Sequence, residues 1–318
     1  MPSSFPVVDL HQDLLLHINR RDLYPSGHWQ TSFQLLEEHN VKLSFVTAFP
    51  VPPDEKYFDP VTNSMIEEDF HAYIRQCTEN DRWMVIKERT DLDALFVQPE
   101  RRGLLLHIEG LNVVDDTSWD LLQRWYDLGW RSLGIVWNLT NPLGGGTKDP
   151  SAGLTSLGEK MICWLQEHSM VIDFAHMNRP TFMDVAKRVK GPILVSHGNA
   201  CHLCPNPRNY TDDQLKMVAE SGGVVGVFFA KTFLAGSQPA VVQDVVNHIT
   251  HLRDVMGIDH VAIGSDFGGI ITGTVKDLDS VETFPRLWEA LKQSGYSDEM
   301  IEKIAFKNSL RVLRQILA

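Results

Sequence analysis

The chain has 318 residues, 43% of them hydrophobic and 22% charged, with a formal net charge of −12. That composition suits a globular protein with ample material for a core and excludes disorder, collagen and coiled coil. The acidic balance argues against nucleic acid or an anionic membrane as partner, since both select Lys/Arg patches. Apolar runs such as Val224–Phe229 fall far short of a bilayer span.

The opening segment, MPSSFPVVDLHQDLLL, lacks the basic region, long apolar stretch and cleavage site of a secretory signal, so it is expected to belong to the fold. The closing RVLRQILA is too short and too charged for a removable anchor. Four cysteines, Cys77, Cys163, Cys201 and Cys204, make no disulfide framework. Cys201 and Cys204 have C-x-x-C spacing, but no second pair completes a zinc ribbon, and an ordinary loop pair is expected. The cytoplasm is the expected compartment.

Taken in chain order, short apolar runs stand at 6–11, 42–49, 103–109, 131–137, 170–176, 192–197, 223–229 and 260–266. Each is nearly continuous in apolar residues, as parallel strands buried on both faces require. Helical stripes fill the gaps. Ile66, Phe70, Ile74 and Cys77 form the first, followed by Leu121, Trp125 and Leu128, then Leu157, Met161 and Trp164. A capping box, Thr211 to Gln214, opens a helix carrying Leu215, Val218 and Ala219. Val242, Val245, Ile249 and Leu252 form another stripe, stopped by Gly257. Eight strand–helix units predict a single α/β domain over 1–318, a (β/α)8 TIM barrel rather than an open sheet. An open doubly wound sheet calls for a glycine-rich first turn, and Asp9-Leu-His-Gln-Asp13 is not one.

The polar residues fall at the ends of these runs. His11 ends the first with Asp13 beyond it, Glu109 ends the third, His176 the fifth, His197 the sixth and Asp266 the eighth. In a barrel such ends converge on one mouth, where the active sites of this fold lie. Alone, each has a plain explanation: a strand-end histidine is ordinarily a hydrogen-bonded core residue, and Asp13 or Asp266 an N-cap or loop carboxylate. Glu109 is harder to dismiss, because a charge ending an apolar run needs a partner. Jointly the plain explanations fail. Converging imidazoles and carboxylates are costly to bury unless something pairs them, and a divalent cation such as Zn²⁺ does so. His107, His168, His202, His248, His251 and His260 are assigned to structure or surface.

His-x-Asp at 11–13, Glu109-Gly110, Ile172-Asp-x-x-His176, Ser196-His197 and Asp259-His-Val-x-Ile-Gly-x-Asp-Phe267 together resemble the membrane (renal-type) dipeptidases, metallopeptidase family M19 of the amidohydrolase superfamily. Leu128-Gly-x-Arg131, Arg208-Asn-x-x-Asp-Asp213 and Asn308-x-x-Arg311-Val-Leu match in order, so the likeness covers nearly the whole chain. The resemblance implies two zinc ions, other divalent transition metals being possible. His11 and Asp13 would hold one, His176 and His197 the other, and Glu109 would bridge them around an activated water. It implies Asp266 as the group that moves the proton and Arg208 as the partner of the substrate carboxylate. It also implies a dipeptide-like substrate and, as a family habit, a homodimer.

Two positions depart from the family pattern. Trp137, followed by Asn138, stands where the family carries a histidine that contacts the substrate. An indole N–H can donate but neither ligates nor titrates, so Asn138 is a candidate to compensate. Asp266-Phe267-Gly268-Gly269 lacks the acidic third residue of the family's Asp-Phe-Asp-Gly. The expected activity is zinc-dependent dipeptide hydrolysis. An amidohydrolase of N-acyl amino acids or lactams is the first alternative, which Trp137 favours, and a non-catalytic metal-binding barrel the second. A nucleotide-binding protein is disfavoured for want of a phosphate loop.

Overall fold

Among the described residues, nine strands form where the apolar runs predict them, with one addition. They are β1 (Val7–Gln12), β2 (Val41–Ala48), β3 (Trp83–Val85), β4 (Arg102–Glu109), β5 (Trp130–Gly134), β6 (Val171–Asp173), β7 (Leu194–Gly198), β8 (Val224–Val227) and β9 (Val261–Ile263). The structure, a computed structural model, describes residues 5–14, 29–50, 65–79, 81–270 and 273–318. The loop 51–64, expected to shape the pocket, lies outside the described residues, as does the Cys77 side chain of the first helical stripe.

The hydrogen-bonded order is β2-β1-β9-β8-β7-β6-β5-β4-β3, and β2 also pairs with β4. Eight strands therefore run in a ring with β3 outside it, the order of a (β/α)8 barrel. The β1–β9, β3–β4, β4–β5, β5–β6, β7–β8 and β8–β9 ladders are all parallel. All residues of β1 and β2 are buried, which is why neither shows the alternation of a half-exposed strand. The short β3 is missed by the sequence reading because a three-residue pairing carries too little pattern to stand out.

The chain divides into two compact units, Met1–Phe45 with Gly191–Val312, and Val46–Lys190 with Leu313–Ala318. In the first, the ladders align Gly198 with Val227, Val227 with Ile263, and Ile263 with Asp9. In the second they align Glu109 with Gly134 and Gly134 with Asp173. Each register puts the carboxyl ends of neighbouring strands at one level, so the residues that follow are presented together.

Helices take the intervals expected. Residues Asp212–Glu220 begin at the Thr211 to Gln214 capping box, with Leu215 and Val218 buried. Val242–Met256 ends at Gly257, whose φ of +87° favours glycine. In Ser156–Glu167 the buried line is Gly158, Met161, Ile162 and Leu165, so Leu157 and Trp164 sit at its margin instead of on it. No helix among the described residues is long and apolar enough to cross a membrane.

Several motif residues serve this framework. Arg131 donates to the carbonyls of Lys87, Tyr126 and Trp130. Asn308 donates to those of Ile258 and Val261, and Arg311 to those of Gly222 and Asp259. Each ties together backbone carbonyls from separate stretches of its unit.

Candidate metal centre

In the first unit, the end of β1 and the turn after β9 are stitched together. Asp13 N donates to Phe267 O at 2.9 Å, and Asp266 N to His11 O at 3.0 Å. His11 Nε2 consequently lies 3.4 Å from Asp13 Oδ2 and 3.6 Å from Asp266 Oδ1. The His11 and His197 rings have centroids 4.0 Å apart. Ser196 Oγ is 2.8 Å from His197 Nδ1, which leaves Nε2 as the ring nitrogen for a ligand, and Phe228 packs edge-on at 5.0 Å.

Two glycines keep this corner open. A Cβ on Gly269 would stand 2.3 Å from Asp13 Oδ2 and 2.5 Å from Asp266 Oδ1. Gly268 has φ +92°, and a Cβ there would stand 2.6 Å from Asp13 O. The missing family aspartate at 268 thus has a backbone reason in this chain: the position admits no side chain without a shift.

A buried acid that the sequence reading passed over anchors the same corner. Asp9, fully buried in β1, accepts hydrogen bonds from Ser265 N at 2.9 Å, Ser265 Oγ at 2.5 Å, Gln12 Nε2 at 2.7 Å and His11 N at 3.3 Å. Burial pushes its carboxyl up while these donors pull it down. Its signal was a lone carboxylate inside an apolar run.

In the second unit, His176 Nε2 meets Glu109 Oε1 at 2.7 Å. His176 lies three residues past β6, in a turn at φ +63°, and Asp266 lies three past β9 at the same φ. Both were expected at the ends of longer strands. Non-glycine residues held in this region carry strain that the surroundings must overcome, and such strain gathers at functional sites. His176 Nδ1 lies 2.9 Å from Asn138 Oδ1. Trp137 is half-buried in the loop after β5, its ring 4.7 Å from Phe49 and 6.0 Å from His176. Gly110, at φ +82°, lets it approach, for a Cβ there would stand 3.0 Å from Trp137 Cβ. A second acid was also missed: Asp173 Oδ2 is 3.5 Å from His107 Nε2, and His107 Nδ1 is 2.8 Å from Ser132 Oγ. All three are buried.

The five expected ligands are between 0% and 7% exposed: His11, Asp13, Glu109, His176 and His197. Imidazoles and carboxylates so desolvated are the donor set of a divalent transition metal, and the opened corner at Gly269 leaves room beside Asp13 and Asp266. The residues present therefore fit a metal. Arg208 is 4% exposed; its Nη2 donates to His197 O at 3.1 Å, while Nε and Nη1 have no hydrogen-bond partner among the described residues. Buried donors left in that state carry a desolvation cost that an anion would relieve.

Five other histidines expected to be structural or at the surface are held by local contacts. His248 joins Ala200 N to Leu234 O, His168 bonds Trp164 O, His260 bonds Gly223 O, and His251 pairs with Asp212 while stacking on His202. Cys201 and Cys204 are free thiols in the turn after β7.

The family model for membrane dipeptidases (peptidase family M19) matches residues 1–318. The chain belongs to this family. It is a hydrolase of the metallo-dipeptidase class, as the motif resemblance implies. A metallopeptidase from Rhodobacter sphaeroides, solved with a phosphinate mimic of the dipeptide L-Ala-D-Ala, shares 26% identity and a TM-score of 0.85 over 99% of this chain and 100% of that one. An uncharacterised protein in the pqqA 5′ region of Klebsiella pneumoniae is 40% identical over 67% of this chain and 82% of its own. An uncharacterised dipeptidase of Schizosaccharomyces pombe is 32% identical over 75% of this chain, which spans 59% of that protein.

Proposed function

We propose that this M19 member hydrolyses dipeptides that carry a free C-terminal carboxylate, using two zinc ions. His11 and Asp13 would hold one ion and His176 and His197 the other, with Glu109 as the carboxylate shared between them. When bound, the cations supply Lewis acidity, lowering the pKa of a water to about 7 and polarising the peptide carbonyl. Asp266 accepts the proton of that water and delivers it to the leaving amine. Its carboxylate, 3.6 Å from His11 Nε2, is held in place by the strained backbone at φ +63°.

Arg208 grips the substrate carboxylate, and its two buried nitrogens without a hydrogen-bond partner, Nε and Nη1, are the observation that carries the choice of an anionic substrate end. Trp137 and Phe49 supply an apolar wall beside His176. Asn138, next to Trp137 in the chain, lies with its Oδ1 2.9 Å from His176 Nδ1. The ligand of the R. sphaeroides relative, a dipeptide mimic, supports a substrate of that size. The free thiols of Cys163, Cys201 and Cys204 suit the cytoplasm as its compartment.

The indole in place of the family histidine favours a second reading, hydrolysis of N-acyl amino acids, which share the carboxylate and lack the free amine. Turnover of dipeptides and of N-acetyl amino acids by the zinc-loaded protein separates the two. The first reading expects dipeptides to be preferred by kcat/KM. Preference for N-acetyl substrates overturns it, and turnover of neither points to a metal-binding barrel without catalysis.

A further inference from the structure

The geometry points to Asn138 as a positioning residue that sets which nitrogen of His176 faces the metal. An imidazole ligand must present one ring nitrogen as a lone pair and commit the other as N–H. The choice is made by whatever accepts that N–H. Asn138 Oδ1, 2.9 Å from His176 Nδ1, is such an acceptor, and Nε2 is the nitrogen that meets Glu109. His176 needs outside restraint more than a strand residue does, because its backbone sits at φ +63°.

Asn138 is itself held on three sides. Thr147 Oγ1 donates to the same Oδ1 at 3.0 Å, and Lys148 N donates to Asn138 O at 2.8 Å. Behind it, Gly146 packs so closely that a Cβ would stand 2.2 Å from Trp137 O and 2.5 Å from the Asn138 carbonyl carbon. The loop 146–148 therefore clamps Asn138, and Asn138 orients His176. Ser196 faces His197 Nδ1 in the same sense, so both imidazoles are aimed by an oxygen on Nδ1. The Asn138 carbonyl oxygen thus meets both Thr147 Oγ1 and His176 Nδ1.

The inference rests on the proposal that His176 is a metal ligand, and the test separates the two. In zinc-loaded protein, NMR should find a slowly exchanging Nδ1–H on His176, assigned by its loss in His176→Gln. Competition with a chromophoric chelator should show Asn138→Leu binding zinc about 10- to 100-fold more weakly. Asn138→Asp, which keeps the acceptor, should bind zinc within about threefold of the parent, a rescue that simple loop damage would not give. An Nε2–H tautomer at His176, or equal zinc affinity in Asn138→Leu, overturns the role of Asn138 even if zinc binds. Should Asn138→Leu fail to fold, the tautomer measured on the unaltered protein still decides. Failure of the unaltered protein to bind zinc overturns the metal proposal instead.

Discussion

Arg208→Met separates substrate binding from stability. The guanidinium is 4% exposed, one hydrogen bond ties Nη2 to His197 O, and the Phe228 ring centre is 5.6 Å from Cζ. Its two partnerless nitrogens, Nε and Nη1, each cost the unliganded fold about 1–3 kcal/mol. A substrate carboxylate restores that loss on binding. Methionine has similar length and no donors, so the unliganded variant should unfold at a urea midpoint equal to or above that of the parent. Leaving a desolvated substrate carboxylate without its partner costs about 3–5 kcal/mol, or about 200- to 4000-fold in kcat/KM. Steady-state kinetics on a dipeptide and its C-terminal amide complete the cycle. The parent should strongly prefer the free acid, and the variant should treat the two alike. Equal turnover of acid and amide by the parent would refute the reasoning. So would a variant that loses stability and still prefers the acid.

Other changes follow from the same geometry. Asp9→Asn turns an amide N–H₂ toward donors that now meet a carboxylate, Ser265 and Gln12. A loss of about 2–4 kcal/mol in urea unfolding is expected, and a change under 1 kcal/mol would count against an anchoring role. His248 is pushed down from 6.5 to about 4, chiefly by burial. Between those values the unfolded chain binds the proton more readily, so this contribution is complete above pH 6.5 and is lost as pH falls toward 4. From pH 6.5 to 5 that loss is about 2 kcal/mol. Urea unfolding of His248→Gln should show a slope with pH shallower than the parent's by this amount, and identical slopes would contradict it.

Much of the barrel was legible because parallel strands buried on both faces leave unbroken apolar runs, as at 103–109. The runs overshot at 131–137, 170–176 and 260–266, where pairing stops at Gly134, Asp173 and Ile263 while the apolar residues continue into turns. Those overshoots hold candidate site residues. His176 and Asp266 occupy left-handed turns that hydropathy cannot register, since φ depends on the surroundings and not on the residue's own polarity. The ligand candidates stood out as polar residues closing apolar runs. Asp9 and Asp173 did not, because each lies inside or at the close of a run and matters only through partners distant in sequence, Ser265 for one and His107 for the other. The departure at Gly268 read as a lost acid, and its cause, the carbonyl of Asp13 beside it, exists only in three dimensions.

Metal content of the purified protein, measured with activity for the parent and for Glu109→Ala, tests the centre most directly. The account predicts two equivalents of divalent metal per chain in the parent, and metal and hydrolysis lost together in the variant. A Glu109→Ala protein that keeps its full complement and its rate would contradict it, as would a parent that is active with no metal bound.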